Sequence, residues 1–374
     1  MASGEFIGVI NATRPKYMKG ASDLTIRQRL LLSMLRRKGR IVYNASGDEC
    51  RWQVEFSAPA IEAHGDGGTF DFTNHDAFRQ LSIDWRGYKG TDSISKKQTM
   101  MNSGDEALIK LFQTKQERLR KQLNNVFCGE LYKDGDATGR TNCVHGLETF
   151  LGEGTCAAGD IVAQPSDTYG LGALSTALGN QGGSWSTALT TKPNATIATD
   201  WPYGSSSTPE YDFLSPKLVN WSSTGWGTGS STTWEDNCWR AISTTITFLT
   251  STGGEDGIPD ICILAPNLFQ GYKNHHEVIR RIDIPHNVAN DLGFKGSTLN
   301  QDGVAIQPDF DCPANTGYML NLSYMTLYSL WSELFWMEGP DKDPRSGYST
   351  LWATGFFGNV TYQPKHIAKL KNYA

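Results

Sequence analysis

The chain has 374 residues, of which 39% are hydrophobic, 20% charged and 11% aromatic; at roughly 150 residues per domain this allows two or three domains and excludes both a disordered chain and a coiled-coil rod. Thirty-nine glycines without a three-residue period exclude collagen and predict many turns between short strands. The net charge of −5 argues against a surface that grips nucleic acid everywhere, yet residues 1–140 hold 22 basic and 17 acidic side chains while residues 141–374 hold 12 and 22. Regions of +5 and −10 suit copies packing basic part against acidic part, although scattered solvated charge gives the same sum.

In chain order, residues 23–40 read as a basic amphipathic helix. Asp23 is a candidate N-cap, Leu24, Leu30, Leu31 and Leu35 form the apolar stripe, Arg36, Arg37 and Lys38 suit the C-terminal end, and Gly39 is the stop. Residues 51–57 alternate Trp52, Val54 and Phe56 against Gln53, Glu55 and Ser57. Leu81, Ile83 and Trp85 alternate likewise with Ser82, Asp84 and Arg86, so the pair is predicted as a long hairpin with residues 64–69 near the middle of its connection. Such a two-stranded ribbon has too little core to stand alone and must lie on its own domain or on another subunit. Ser103 and Glu106 form a capping box for the longest predicted helix, which carries Leu108, Phe112, Leu119, Leu123 and Val126 at helical spacing and ends near Gly129. Its polar face, with Lys110, Lys115, Glu117, Arg118, Arg120 and Lys121, reads as solvated surface.

Residues 165–233 hold 33 Gly, Ser or Thr in 69 positions, with Trp185, Trp201, Trp221 and Trp226 spread among them, and are predicted as an irregular β-rich insertion with long loops. Helices are predicted again at 234–249 and 266–282, with a buried strand at 258–264 between them. The segment 299–374 reads as strands and turns. Within it, residues 318–337 carry one charge, Glu333, but the alternation of Leu320, Leu322 and Tyr324 with Asn321 and Ser323 predicts strand rather than a membrane span.

Chemistry is sparse. Seven cysteines, at 50, 128, 143, 156, 238, 262 and 312, are odd in number and include no C-x-x-C, so neither a disulfide framework nor a zinc site is indicated. The first twenty residues lack the pattern of a secretory signal, so cytoplasmic synthesis is expected. No phosphate-loop, nucleophile-elbow or zinc-protease motif occurs. Asp134, Asp136, Thr138 and Gly139 imitate the start of a calcium loop, but His145 stands where the bidentate Glu belongs. His275, His276 and Glu277 are adjacent and point apart on a helix, and Asp302, Asp309 and Asp311 read equally well as turn residues. No catalytic residue, metal ligand or cofactor is nominated.

The order of these segments, together with the run LGFKGSTLNQDGVAIQPDFDCPANTGYMLNLSYMTLY at 292–328, Gly146-Leu147-Glu148, Ile258-Pro259-Asp260 and the closing strand from Gly358, resembles the major capsid protein of tailed bacteriophages, the Hong Kong 97 type. The resemblance implies an α+β phage major capsid fold. Its parts would be an N-terminal arm at 1–48, an extended β-hairpin loop at 49–100, and a peripheral domain with the long spine helix at 101–145. An axial domain at 146–345 would contain the Gly/Ser/Thr/Trp-rich insertion and returning peripheral segments, and 346–374 would be closing peripheral strands. The insertion is longer than this family's pattern suggests.

The implied function is a virion protein, assembled in the host cytoplasm, that forms hexamers and pentamers of an icosahedral head around double-stranded DNA without enzymatic turnover. Arg27, Arg29, Arg36, Arg37, Lys38 and Arg40 of the arm would contact a neighbouring subunit or DNA phosphates, and Asp66, Gly67 and Gly68 at the hairpin tip an adjacent subunit. Implied partners are the chain itself, neighbouring capsomers, packaged DNA, a portal and a separate scaffolding protein, since no acidic helical segment precedes the arm. A cement protein is a further candidate, and no membrane or cofactor is implied. Lys89, Lys96 and Lys97 are equivalent candidates for any intersubunit crosslink. Two other readings stand beside this one: an encapsulin-like compartment of the same fold, and a carbohydrate-binding protein using the tryptophans of the Gly/Ser/Thr-rich region.

Overall fold

The computed structural model describes residues 30–55, 78–101, 105–135, 137–151, 216–226, 231–279, 299–342 and 349–373, together with 61, 63, 66, 159, 161, 162 and 229. Arg27, Arg29, Gly67, Gly68, the caps at Asp23 and Ser103, Asp136, Trp185 and Trp201 lie outside the described residues.

The elements run α1 (Leu30–Arg37), β1 (Ile41–Val42), β2 (Glu49–Glu55), β3 (Phe78–Asp84), β4 (Arg86–Ser95), α2 (Lys96–Met101), α3 (Asp105–Glu130), α4 (Leu147–Phe150) and β5 (Lys217–Asn220). Then follow α5 (Trp234–Gly253), β6 (Ile261–Leu264), α6 (Pro266–Ile279), β7 (Leu299–Gln301), β8 (Val304–Pro308), β9 (Thr316–Leu320), β10 (Met325–Ser329), β11 (Trp336–Lys342), β12 (Ser349–Tyr362) and β13 (Ile367–Lys371).

Two sheets and a ribbon organise them. In the five-stranded sheet, β12 pairs on one edge with β4 along residues 349–358; β10 and β11 pair with it too, and β1 joins β10 in parallel. The six-stranded sheet has the order β5-β13-β9-β6-β8-β7. The predicted hairpin is present as β2 and β3, antiparallel from Glu49↔Asp84 to Glu55↔Phe78, and among the described residues its strands pair only with each other. Past Trp85 the chain leaves the ribbon, and β4 belongs to the five-stranded sheet.

The long helix α3 lies on that sheet through a row at i, i+4 spacing. Leu123, Phe127 and, just past its end, Leu131 are buried, and the Phe127 ring stands 4.5 Å from Phe356 and 5.7 Å from Phe335. Helix α5 packs on β5, β13 and α6, while α6 packs on β6 and β8. All four residues of β6 are buried, as the apolar run predicts, although the strand begins only at Ile261 and Ile258 is exposed. Helix α1 buries five side chains, Leu30, Leu31, Leu32, Met34 and Leu35. It ends at Gly39, whose φ of +66° lets Arg40 N–H reach Leu35 O at 2.9 Å, a turn that a Cβ would strain.

Three expectations need correction. Val126, placed in the apolar stripe of α3, is 42% exposed, because the buried row is the one through Leu119, Leu123 and Phe127, about a quarter turn away. The alternation at 320–324 is not strand: β9 ends at Leu320 and a 3₁₀ turn covers Leu322–Tyr324. Asn321 Oδ1 accepts from Ser323 N–H at 3.0 Å and Asp260 Oδ2 from Leu322 N–H at 3.0 Å, so side-chain acceptors replace the ladder there. The tryptophans offered for sugar binding are not at the surface where they are described: within the segment predicted as β-rich, residues 216–226 form a buried strand and a 3₁₀ turn that keep Trp221 and Trp226 in the core. Among the described residues, no helix is long and apolar enough to cross a membrane.

Truncating the ring that joins helix to sheet, Phe127→Ala, should cost about 3–5 kcal/mol of stability, seen as a lower urea midpoint with unchanged slope for the unassembled chain.

Candidate functional site

The sequence nominated surfaces rather than a pocket. Of the arm cations, Arg36 and Arg37 project from the last turn of α1 into solvent. Lys38 is tied inward, its Nζ 2.8 Å from Asp260 Oδ1, and Arg40 is half-buried with its carbonyl accepting from Leu327 N–H at 2.9 Å. The four described cations therefore do not form one patch of equivalent charges: Arg36 and Arg37 are exposed, Lys38 is paired with Asp260 and Arg40 is half-buried.

The ribbon has a buried root and an exposed far end. Cys50 and Ile83 face each other in the core and Trp52 packs against it, whereas Phe78 is 59% exposed. Trp85 Nε1 donates to Gly47 O at 2.8 Å and closes the root. Asp66 is exposed at a turn.

Where the ribbon root, the end of α3 and β12 meet, polar side chains replace hydrophobic contact. Glu130, nearly buried, accepts from Lys133 at 2.9 Å, from Tyr88 at 3.1 Å and from Arg140. Burial pushes its carboxyl up, but the Lys133 hydrogen bond and the charges of Arg140 and Lys133 outweigh that and hold it below the usual value. Burial and the same carboxylate drive the Tyr88 phenol upward. Arg86 donates to Gly135 O and to Cys143 O, the latter at 3.0 Å, and Val144 N–H donates to Tyr88 at 3.0 Å. Sequence reasoning saw Asp134 only in an imitation of a calcium loop and Gly146 only in a run shared with a family; it had no signal for this junction, whose members are up to 275 residues apart.

A second internal polar group lies under α4. Lys369, 1% exposed, reaches Glu148 Oε2 at 2.5 Å, and Tyr318 donates to the other oxygen of Glu148. Tyr132 donates to Asp309 Oδ2 at 2.7 Å. The three aspartates read as turn residues do sit at turns: Asp309 is internal, its Oδ1 accepts from Asp311 N–H at 3.1 Å, and Asp302 sits at φ 49° in the two-residue turn that joins β7 to β8. His275 and His276 stand edge to face and His276 packs on Tyr272. No group of three or more His, Cys, Asp or Glu among the described residues is placed to hold a metal ion.

The tryptophans offered as sugar platforms are structural where they are described. Trp221, 7% exposed, donates to Asn315 O, and Trp226, 6% exposed, to Asn220 O. The six described cysteines are free thiols and only Cys143 is partly exposed. Burial pushes the Cys50 and Cys238 thiols up to about 12.

No family model and no curated protein matches the chain. Solved structures do. The capsid asymmetric unit of cyanophage A-1(L) is 13% identical with a TM-score of 0.52, over 95% of this chain and 96% of that one. The capsid of the native GTA particle is 12% identical with a TM-score of 0.55, over 97% and 98%. The capsid of the empty GTA particle is 10% identical with a TM-score of 0.54, over 95% and 100%. At these identities the likeness is one of fold: the chain has the α+β phage capsid fold that the sequence resemblance implied.

Two outcomes follow from these interior groups. Glu148→Ala, which removes the carboxylate that the Lys369 ammonium and the Tyr318 hydroxyl share, should cost about 3–5 kcal/mol in urea unfolding, and a loss below about 1 kcal/mol would mean that solvent screens the pair. Alkylation of the native chain at pH 8 should label Cys143 well before Cys50, Cys128, Cys238, Cys262 and Cys312, read by peptide mass spectrometry.

Proposed function

We propose that this chain is the major capsid protein of a tailed phage, a structural protein that assembles as hexamers and pentamers into an icosahedral head around double-stranded DNA. The observation that carries the reading is the extent of the likeness: 97% of this chain aligns with 98% of the native GTA particle's capsid chain, so the whole chain and not one module has the shape of a shell subunit. A ribbon whose strands, among the described residues, pair only with each other and whose Phe78 end is exposed supports it, because a second copy can supply further contacts to such a ribbon.

In this reading residues 1–48 are the arm, 49–100 the extended loop, 101–145 and 346–374 parts of the peripheral domain, and 146–345 the axial domain with returning segments. Arg36 and Arg37, with Arg27 and Arg29 before them, meet a neighbouring subunit or DNA phosphates, and such contacts are blind to sequence, as a shell around any genome requires. Lys38 and Arg40 serve chiefly to fix the arm. Asp66, Gly67 and Gly68 reach an adjacent subunit. Scaffolding, portal and cement proteins are the other partners, and assembly takes place in the host cytoplasm. An encapsulin-like compartment shares the fold and differs in cargo. A sugar-binding protein is disfavoured by the burial of Trp221 and Trp226.

Negative-stain electron microscopy of the chain, expressed alone and with a scaffolding partner, should show closed shells or capsomer rings, and absorbance at 260 against 280 nm should reveal nucleic acid in the filled particles. Particles filled with protein alone select the compartment. A chain that stays monomeric under both conditions overturns assembly altogether.

A further inference from the structure

One amide links the ribbon root both to β12 and to the loop after α3. Asn359 Nδ2 donates to Asp84 O, at the end of β3, at 2.9 Å, and Asn359 Oδ1 accepts from His145 N–H at 3.3 Å. Arg86, the first residue of β4, grips the carbonyls of Gly135 and Cys143 on the same loop. The imidazole of His145 sits inside this fastening. It is 4% exposed, and neither ring nitrogen has a hydrogen-bond partner among the described residues. A neutral imidazole carries one donor and one acceptor, so leaving both unused in the interior is unfavourable, and an apolar ring would pack there at less cost.

The groups around the ring have unequal roles. Arg86 faces it from the strand that leaves the ribbon, and Asp134 from the loop after α3; burial first, and then the Arg86 charge, push the imidazole down to about 4, with Asp134 opposing. Glu130, Lys133 and Arg140, at the end of α3 and on that loop, are engaged with one another, and Tyr88 with Glu130 and Val144. Cys143 is on the same segment as the ring. β12 contributes Asn359, which is neutral at every pH. Glu148 of α4 is turned to Tyr318 and Lys369.

We propose that His145 is a proton-operated release for the ribbon root: an imidazolium beside the Arg86 guanidinium, with no acceptor among the described residues to receive its protons, displaces residues 143–147 and frees Asp84–Tyr88 from Asn359, from the loop and from the Arg86–Tyr88 end of the β12 ladder. The sign follows from linkage. The fastened state keeps the ring neutral, whereas the released state, open to water, binds a proton at the ordinary value of 6.5. Between that value and about 4 only the released state takes up the proton, so the ratio of released to fastened rises about tenfold per pH unit. The low-held carboxyl of Glu130 adds its own loss only at lower pH, which leaves the range from 7.5 to 5 to the histidine. The device belongs to the single chain and does not require assembly.

Hydrogen exchange of the full-length chain, held in one assembly state as checked by light scattering, tests it at pH 7.5, 6.5, 5.5 and 5 after correction for chemical exchange rates. The opening constant of peptides covering 84–88 and 143–147 should rise about 25-fold between pH 7.5 and 5, and His145→Gln and His145→Phe should each flatten that rise. A flat profile in the wild type overturns the proposal without need of either variant. So does an equal rise in a folded variant, or a rise of the same size across peptides remote from the junction.

Discussion

Strand β12 carries ladder partners along almost all of its 14 residues: β4 along 349–358, β11 along 350–355 and β10 along 358–362. Its inward side chains, Trp352, Thr354 and Phe356, are buried, and two of them receive the long helix, Trp352 through Leu119 and Phe356 through Phe127. Its last turn of pairing holds β10, and through β10 the short β1 that anchors α1. Asn359 then adds the ribbon root. Helix α1, the ribbon and α3 are thus fixed by different stretches of one strand, and the geometry of each depends on the register of β12.

The two sheets solve different problems of burial. The five-stranded sheet covers one side with α3 and leaves Phe357 and Met337 half open, as an antiparallel sheet with one wet face does. The six-stranded sheet buries β6, β9 and nearly all of β13, and so takes its polar groups inside as matched sets. Lys369 with Glu148 and Tyr318, and Tyr132 with Asp309, sit where an unmatched charge would be costly, and their specificity fixes α4 and the β8–β9 turn against the sheet.

Local signals in the sequence were read well. Pro266 opens α6, Gly39 closes α1, and the alternation about Trp52 and Ile83 gave the hairpin and its register face, because each depends on residues within a few positions of one another. What was misread depends on distant partners. The strand pattern at Leu320–Tyr324 is interrupted by Asp260, some sixty residues away, and the burial of Trp221 and Trp226 depends on packing with α5 and on carbonyls that no pattern of Gly, Ser and Thr encodes. The junction around Glu130 and His145 was illegible for the same reason, since Arg86, Asn359 and the loop after α3 come together only in the fold. The resemblance that named the fold rested on the order of segments, which survives at identities where single residues do not.

The ribbon continues through Trp85 directly into β4, and β4 lies alongside β12 for ten residue pairs, from Ser95↔Ser349 to Arg86↔Gly358. A pull that reaches β4 along its own axis is therefore borne by a long antiparallel ladder. Loaded in this direction, the hydrogen bonds resist together as in shear, whereas a pull at right angles would peel them from the Arg86 end one at a time. Tension along β4 thus meets ten residue pairs at once, and bending away from the sheet meets them singly.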